Sequence, residues 1–387
     1  MKISILLPYK ENFANEYAGA VSIFVNSTNK YSMFKNDITV FGSTDYKEIL
    51  SKNYINISLS KKILRSQSND YVEKFLELQK KKHVDIIEIH NRPIYIKKLS
   101  QLKTDLILYF HNDPLSMIGS KTVQERLELL NKCSKIIFNS EWSKKRFLKD
   151  LKVFYHKSKK LDVIHQSTSK KKINLSKKKK LITFVGKLNS AKGYDIFGKA
   201  IVRILNKHQD WKSLVIGDEP REKIIVKHKN LKILGFQAHK KVLETFSLTS
   251  IAVACSRWEE PFGRTSLEAA SRGCAVIISN RGGLPETITN GIILRNLDSE
   301  TLFNAMDNLI KNKKKLTLLQ KYSYHNFFLT DKYASYKIDD YRSKLINKIN
   351  FVNSKDITLN KLKILHITNF NERHNGRLFY NTGKRIN

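Results

Sequence analysis

Short apolar runs alternate with helix-like segments along most of this chain, and this alternation limits the folds open to it. Within the first 165 residues, apolar runs occur at 3–7, 37–41, 84–89, 105–110, 135–139 and 161–164. Amphipathic patterns typical of helices lie between several of them, at 71–82, 121–132 and 141–151. Strands that alternate with helices predict a parallel, doubly wound sheet.

A second series of the same kind begins after a lysine-rich stretch at 169–180. Its predicted strands are 181–185, 213–216, 231–234, 251–254 and 275–279. Its predicted helices are 194–208, 240–249, 265–272 and 299–311. Because 387 residues are long for one domain, we predict two α/β domains, at 1–168 and 169–320.

The stretch from Glu260 to Glu268 carries the most chemistry. It follows the apolar run at 251–254 and leads into the predicted helix at 265–272. Pro261 suits a helix start, because it lacks the N–H that would have no partner there. Free N–H groups at a helix start attract phosphate, and carboxylates accept hydrogen bonds from sugar hydroxyls. Phosphate and hydroxyl recognition together indicate a nucleotide sugar as ligand.

The spacing from Glu260 to Glu268 resembles the Glu-x7-Glu signature of retaining GT-B glycosyltransferases of family 4, the glycosyl transferases group 1. Four further segments resemble motifs of that family and stand in its order. They are FVGKL with AKG at 184–193, VIGD at 215–218, LG at 234–235 and RGGLPE at 281–286. Five matching segments in order, over residues 181–290, make the resemblance specific.

The resemblance implies a GT-B architecture, in which two Rossmann-like, doubly wound domains face a central cleft. Residues 1–168 would be the acceptor-side domain and 169–320 the domain that binds the nucleotide sugar. The aromatic-rich segment 321–350 would be a helix that returns to the first domain. Residues 351–387 repeat the pattern of the chain's own start, so they are either the truncated start of another glycosyltransferase unit or an added strand or disordered end.

The resemblance also assigns roles to lysines and glutamates. Lys187 and Lys192 would stabilise the negative charge that builds on the leaving phosphate, with Lys187 in place of the family's arginine. Glu260 would contact hydroxyls of the transferred sugar, and Glu268 the ribose of the nucleotide. The backbone between them would meet sugar and phosphate, at Phe262, Gly263, Arg264 and Thr265. The alternative is that both lysines are ordinary surface residues and that Glu268 is a solvated helix residue.

Two histidines and two glycines complete the predicted site. His111 follows a predicted strand at its carboxyl end, where a side chain faces the ligand crevice. By resemblance it contacts the transferred sugar, and His90, at the end of the preceding strand, competes for that role. Gly19 stands in the first loop, where family members often have two glycines. Gly283 would let the backbone pass close to the cleft, and Glu286 is either another hydroxyl acceptor or a solvated loop residue.

Together these features predict a retaining, metal-independent hexosyltransferase without a cofactor. Its donor would be a UDP- or GDP-sugar and its acceptor a glycan or lipid-linked molecule, in envelope polysaccharide or lipopolysaccharide synthesis. No Asp-x-Asp metal motif follows a predicted strand, in keeping with lysines in the metal's place. The alternative is a non-catalytic GT-B protein that binds nucleotide or glycan, which the replacement of arginine by Lys187 suggests. A nicotinamide enzyme is disfavoured, because no GxGxxG follows the first strand.

The net charge of +36 favours an anionic partner. An anionic membrane surface or a phosphorylated substrate fits, whereas nucleic acid is disfavoured because the lysines are dispersed and no helix-turn-helix, RNP or zinc signature occurs. The coding bias of an AT-rich genome explains the lysines equally well. Cys133, Cys255 and Cys274 show no metal-ligand spacing, so we expect buried free thiols in a reducing compartment. We therefore expect a cytoplasmic protein, either free or peripheral at the inner membrane face.

Overall fold

The structure is a computed structural model that describes residues 1–59 and 66–353. In this part, the first half of the chain forms a seven-stranded parallel sheet with the order β3-β2-β1-β4-β5-β6-β7. Its strands are β1 Ile3–Leu6, β2 Ile38–Gly42, β3 Tyr54–Asn56, β4 Ile86–His90, β5 Asp105–Phe110, β6 Lys135–Phe138 and β7 Leu161–Val163. Its helices are α1 Ala20–Asn29, α2 Gln67–Lys80, α3 Ile96–Leu99, α4 Val123–Lys132, α5 Glu141–Leu148 and α6 Val153–His156.

The second half forms a six-stranded parallel sheet with the order β10-β9-β8-β11-β12-β13 among the described residues. Its strands are β8 Lys179–Val185, β9 Lys212–Ile216, β10 Leu231–Ile233, β11 Thr249–Ala254, β12 Ala275–Ile278 and β13 Ile292–Ile293. Its helices are α7 Tyr194–Lys207, α8 His239–Leu248, α9 Arg264–Ser271, α10 Ser299–Lys311 and α11 Lys313–His325, and α12 Asp331–Asn353 follows them. No helix in the described ranges is long and apolar enough to cross a membrane.

Helices cover both faces of the first sheet, which is why its strands are apolar at almost every position. Ile87 packs on one face with Phe75 of α2 and Phe147 of α5. The neighbouring Ile86 packs on the other face with Phe24 of α1. Consecutive side chains of a strand point to opposite faces, so one apolar run supplies two cores. The three cysteines are buried free thiols, as predicted.

The position of a ligand crevice follows from the strand order. In the first sheet the chain changes direction of winding between β1 and β4, and in the second between β8 and β11. Ligands of doubly wound sheets bind outside the carboxyl ends of the strands at such a switch point. The two sheets therefore each offer a binding crevice at this edge.

The last helix returns to the first sheet, which confirms that part of the predicted architecture. Ala334, Ile338 and Tyr341 of α12 lie in the same buried cluster as strand residues of β1 and β4. This helix begins at Asp331 rather than near residue 321, because residues up to His325 belong to α11. Residues Met1–Ile346 form one compact unit. The segment proposed as a second glycosyltransferase start lies, from residue 354 onward, outside the described residues.

Two short strands were not predicted from the sequence. β3 and β13 are each two or three residues long and mostly not buried. The helix predicted at 265–272 is present as α9, Arg264–Ser271, but Pro261 does not begin it. Gly263 precedes it with a φ of 115°, a conformation that residues with a side chain rarely adopt. The chain thus makes a glycine turn between Pro261 and the helix.

Candidate functional site

A cavity of about 260 Å³ lies between the carboxyl edges of the two sheets. Residues from both halves of the chain line it, among them Ala20, His111, Gln166, Lys192, Glu260, Phe262, Gly263, Arg264 and Thr265. It therefore occupies the place that the strand order indicates for a ligand. Of the residues predicted from sequence, it brings together those of the Glu260 stretch, Lys192 and His111.

Lys192 and Glu260 form an ion pair in this cavity. The Lys192 Nζ lies 2.5 Å from Glu260 Oε1, although the two residues are 68 positions apart in sequence. The next residue, Gly193, packs closely on the end of β11: its φ is 73°, and a Cβ there would lie 1.9 Å from the carbonyl oxygen of Cys255. An anion that binds Lys192 must compete with the Glu260 carboxylate. Alternatively, the ligand carries hydroxyl groups that donate hydrogen bonds to Glu260 and so replace its contact with Lys192.

Lys187 stands at the border of the cavity. It is exposed after the end of β8 and does not itself line the cavity, but the preceding Gly186 does. No acid in the described ranges forms an ion pair with it. Of the two lysines predicted to face the leaving phosphate, only Lys192 lines the cavity.

Glu268 is buried in α9, and two basic side chains contact it. Arg264 Nε lies 2.9 Å and His239 Nε2 2.8 Å from its Oε1. Burial opposes ionisation, but Arg264 and His239 outweigh it and hold the pKa of Glu268 below its usual value. Glu268 itself does not line the cavity, whereas Arg264 does. The Glu268 carboxylate is therefore charged at neutral pH. It does not face the cavity itself but contacts Arg264, which does.

His239 is a site residue that the sequence analysis missed. It is the first residue of α8 and stands 29 positions before Glu268. No spacing rule connects a histidine at that distance with a helix glutamate. Only the packing of α8 beside α9 brings them together.

Gly283 packs against the backbone of the loop that contains Glu260. Its N–H donates to the carbonyl oxygen of Glu260 at 2.7 Å. A Cβ on it would lie 2.5 Å from the Pro261 carbonyl oxygen and 2.8 Å from Ser140 Cβ. Gly282 is as crowded, because a Cβ there would lie 2.1 Å from the Glu260 oxygen. The two glycines thus permit close backbone packing, and Gly283 lies outside the cavity lining.

Glu286 bonds across to the first half of the chain. Its carboxylate accepts from the backbone N–H groups of Glu141 at 2.7 Å and Trp142 at 3.0 Å. These are free donors in the first turn of α5, where an anion is favourable. His165 Nε2 lies 2.9 Å from the same carboxylate. Glu286 was expected either to accept hydrogen bonds from ligand hydroxyls or to be a solvated loop residue. Its contacts with α5 and His165 match neither role.

His111 and His90 lie side by side. His111 Nε2 is 2.9 Å from His90 Nδ1, and His111 Nδ1 is 3.3 Å from Gln166 Nε2. Burial lowers the pKa of His90 to about 3. Burial, helped by His90 and Arg264, also holds the pKa of His111 well below its usual value. Both imidazoles are therefore neutral, and both ring nitrogens of His111 contact protein groups.

Gly19 is the residue before α1, and a carboxylate lies against it. A Cβ on Gly19 would lie 2.1 Å from Glu11 Oε1. The same oxygen accepts from the backbone N–H of Ser22 at 3.0 Å. Burial raises the pKa of Glu11 although this hydrogen bond opposes it. Glu11, which sequence reasoning missed, thus occupies the helix start expected to face donor phosphate.

Comparison with known proteins identifies the class. Residues 165–326 match the family model described as glycosyl transferases group 1. The chain is 24% identical over 362 residues to spore coat protein SA of Bacillus subtilis, which covers 84% of this chain and 93% of that protein. It is 27% identical over 136 residues to the lipopolysaccharide core biosynthesis mannosyltransferase LpsB of Rhizobium meliloti, 33% of this chain and 38% of that protein.

Solved structures share the fold. Anabaena HepE in complex with UDP aligns with a TM-score of 0.69 at 17% identity, over 90% of this chain and 100% of that one. WaaG, a glycosyltransferase involved in lipopolysaccharide biosynthesis, aligns with a TM-score of 0.60 at 14% identity, over 88% and 99%. Two doubly wound sheets around a cleft, with a returning helix, define the GT-B fold. Residues 165–326 are a glycosyl transferases group 1 domain, and the protein is a glycosyltransferase.

Proposed function

We propose that this glycosyltransferase moves a hexose from a UDP- or GDP-sugar to a glycan or lipid-linked acceptor with retention of configuration. The observation that carries the proposal is the cavity in which Lys192, Glu260 and the start of α9 meet. A cation, a carboxylate and free backbone N–H groups are the groups that a sugar diphosphate needs. HepE, a structural neighbour, is described in complex with UDP and glucose.

In the proposed reaction the bond between the anomeric carbon and the phosphate oxygen breaks. The acceptor hydroxyl oxygen bonds to the same face of that carbon, and its proton passes to the departing phosphate. Lys192 would leave Glu260 and stabilise the charge that develops on the nucleoside diphosphate. Glu260 would then accept hydrogen bonds from the sugar hydroxyls. We assign this charge stabilisation to protein cations and to no cofactor or metal.

Arg264 and Glu268 would hold the nucleotide. Arg264 and His239 both contact Glu268 through Oε1, and no hydrogen bond from a described residue reaches Oε2. Oε2 would accept from the ribose hydroxyls, as the resemblance implies. His111 is neutral, and both of its ring nitrogens contact protein groups. It would therefore contact the sugar through the carbon edge of its ring or through its backbone.

For the biological setting we propose envelope polysaccharide or lipopolysaccharide synthesis at the inner membrane face. Two observations support it: the partial similarity to the LpsB mannosyltransferase and the net charge of +36. A basic protein is attracted to an anionic lipid surface.

A second candidate is a GT-B protein that binds a nucleotide without turnover. The exposed side chain of Lys187, which does not line the cavity, favours it, because Lys192 is then the one predicted lysine among the lining residues. Such a protein would bind the nucleotide and release no product from its sugar conjugates.

Release of nucleoside diphosphate separates the two candidates. The protein would be incubated with UDP-glucose, UDP-galactose, UDP-N-acetylglucosamine and GDP-mannose, together with extracted envelope glycolipids. We expect release from one donor, lost in Lys192→Ala and kept in Lys199→Ala, an exposed lysine of α7. Product with the opposite anomeric configuration by NMR would refute retention. Tight nucleotide binding without release would support the non-catalytic candidate.

A further inference from the structure

An exposed apolar pair lies in a basic segment at the end of the first sheet opposite the cleft. Val153 and Phe154 open α6 and are 73% and 82% exposed. The segment 149–160 around them contains five lysines and one aspartate: Lys149, Lys152, Lys157, Lys159, Lys160 and Asp150. Exposed apolar side chains among cations match the chemistry of an anionic lipid surface, which offers acyl chains below negative headgroups.

The surrounding contacts hold this segment in place. Tyr155 packs against the buried cluster of the first sheet. Lys160 Nζ donates to the Leu130 carbonyl oxygen near the end of α4 at 2.7 Å, and Lys135 Nζ donates to the Lys159 carbonyl oxygen at 3.1 Å. Because Tyr155, Lys159 and Lys160 contact the rest of the domain, the segment keeps the side chain of Phe154 exposed to solvent.

The lysines beside the apolar pair are available for lipid phosphate. Lys149, Lys152 and Lys157 are exposed. Within the described ranges, no acid forms an ion pair with any of the three. Their charges are therefore not neutralised within the protein, and each would attract an anionic headgroup.

Other loops extend this surface along the same edge. In a parallel sheet all loops that enter strands lie at one edge. Four such loops of the first sheet are 30–37, 81–85, 100–104 and 149–160, and we call these four the basic edge. They carry more lysines than acids: Lys30, Lys35, Lys81, Lys82, Lys103 and the five lysines of 149–160, against Asp37, Asp85 and Asp150. Tyr31 and Met33 add apolar side chains that are 55% and 73% exposed.

The cleft edge differs in charge. The loops that leave β1, β4 and β5 carry three basic and three acidic residues: Lys10, Arg92 and Lys121, and Glu11, Glu16 and Asp113. Basic and acidic residues are thus equal in number in these three loops, whereas lysines outnumber acids ten to three in the four loops of the basic edge.

We propose that the basic edge binds an anionic membrane surface and that Val153 and Phe154 insert into it. This inference specifies the membrane contact of the proposed function. Because the basic edge lies opposite the cleft, the bound protein would keep its cleft open to nucleotide sugars from solution.

The test measures binding of the full chain to vesicles of phosphatidylglycerol and phosphatidylcholine in equal parts. Val153→Ser with Phe154→Ser should weaken binding at least about tenfold, because two apolar side chains no longer leave water. Lys149→Gln, Lys152→Gln and Lys157→Gln together should weaken it by roughly fivefold per lysine. Added salt should weaken wild-type binding further.

The matched control is Ile225→Ser. Ile225 is 66% exposed and also lies near lysines, but it belongs to the second half of the chain. We expect its binding to equal that of the wild type, and we expect vesicles of phosphatidylcholine alone to bind every variant weakly. All substituted side chains are exposed, so melting temperatures should stay unchanged.

Several results would overturn the inference. One is a wild-type protein that does not bind the anionic vesicles, or that binds duplex DNA and not lipid. Another is a Val153 and Phe154 variant that binds as well as the wild type, or an Ile225 variant that loses as much. The assay contains no nucleotide sugar, so a protein that releases nucleoside diphosphate but ignores vesicles would refute only the membrane contact.

Discussion

Replacing Arg342 with methionine tests how the returning helix is held on the first domain. Arg342 lies in α12 and is 1% exposed. Its Nε and Nη2 donate to the two carboxylate oxygens of Glu88 in β4, at 2.7 Å and 2.8 Å. Its Nη1 donates to Asp339 Oδ1 at 3.1 Å. Glu88 is also 1% exposed, so the pair is shielded from water.

The magnitude follows from what the substitution leaves behind. Arg342→Met leaves the Glu88 carboxylate buried without its cation, and removing one partner of a buried pair costs about 3–5 kcal/mol. Tyr341 still donates to Glu88 Oε1 at 2.8 Å, which favours the lower part of that range. Urea unfolding followed by tryptophan fluorescence at pH 7 measures the loss.

A second substitution should relieve this loss. Arg342→Met combined with Glu88→Gln should recover at least half of it, because no buried charge is stranded. A loss under about 1 kcal/mol at pH 7, or a double variant no more stable than Arg342→Met alone, would refute the reasoning.

Three further substitutions test the site. Gly193→Ala should cost about 2–4 kcal/mol of unfolding free energy, because its Cβ would clash with a backbone carbonyl. The control is Gly235→Ala, which has a similar φ of 64° but no atom within 4 Å of the added Cβ. It should cost only about 1–2 kcal/mol. Glu286→Ala should cost about 1–2 kcal/mol, because two N–H groups of α5 lose their acceptor, and Glu286→Gln should cost less than half of that. Arg264 helps to hold the pKa of Glu268 below its usual value against burial, so this carboxylate stabilises the fold above about pH 4.5 and the contribution is lost as the pH falls through the lowered pKa. The stability advantage of wild type over Glu268→Gln, from urea unfolding between pH 7 and 3, should therefore be constant at the upper end and decline at the lower end.

The sequence predicted most of the fold because strands buried on both faces are continuous apolar runs. Asp105–Phe110 and Ser299–Lys311 were predicted with their observed bounds. The pattern failed where burial is slight: in β3 only Tyr54 is buried, and β13 has two residues. Pro261 does not begin α9, because Gly263 turns the chain between Pro261 and the helix, and a turn that depends on a neighbouring loop leaves little local signal.

The site was predictable where a motif keeps its residues close in sequence. The stretch from Glu260 to Thr265 and the distant Lys192 do line one cavity. Contacts made across the fold were not predictable, because they depend on how helices and sheets pack. Glu11 against α1, Glu286 against α5 and His239 beside α9 belong to this kind.

A thermal-shift series tests the central claim most directly, because it needs no acceptor. The melting temperature would be measured with UDP, GDP, ADP and their sugar conjugates, for the wild type, Glu268→Ala and the matched control Glu244→Ala on α8. A ligand at a hundred times its dissociation constant stabilises the folded state by about 2.7 kcal/mol, which gives a clear shift. We predict that one nucleotide raises the melting temperature of the wild type and of Glu244→Ala but not of Glu268→Ala. No shift with any nucleotide, or the same shift in Glu268→Ala, would contradict a nucleotide-sugar site at this cleft.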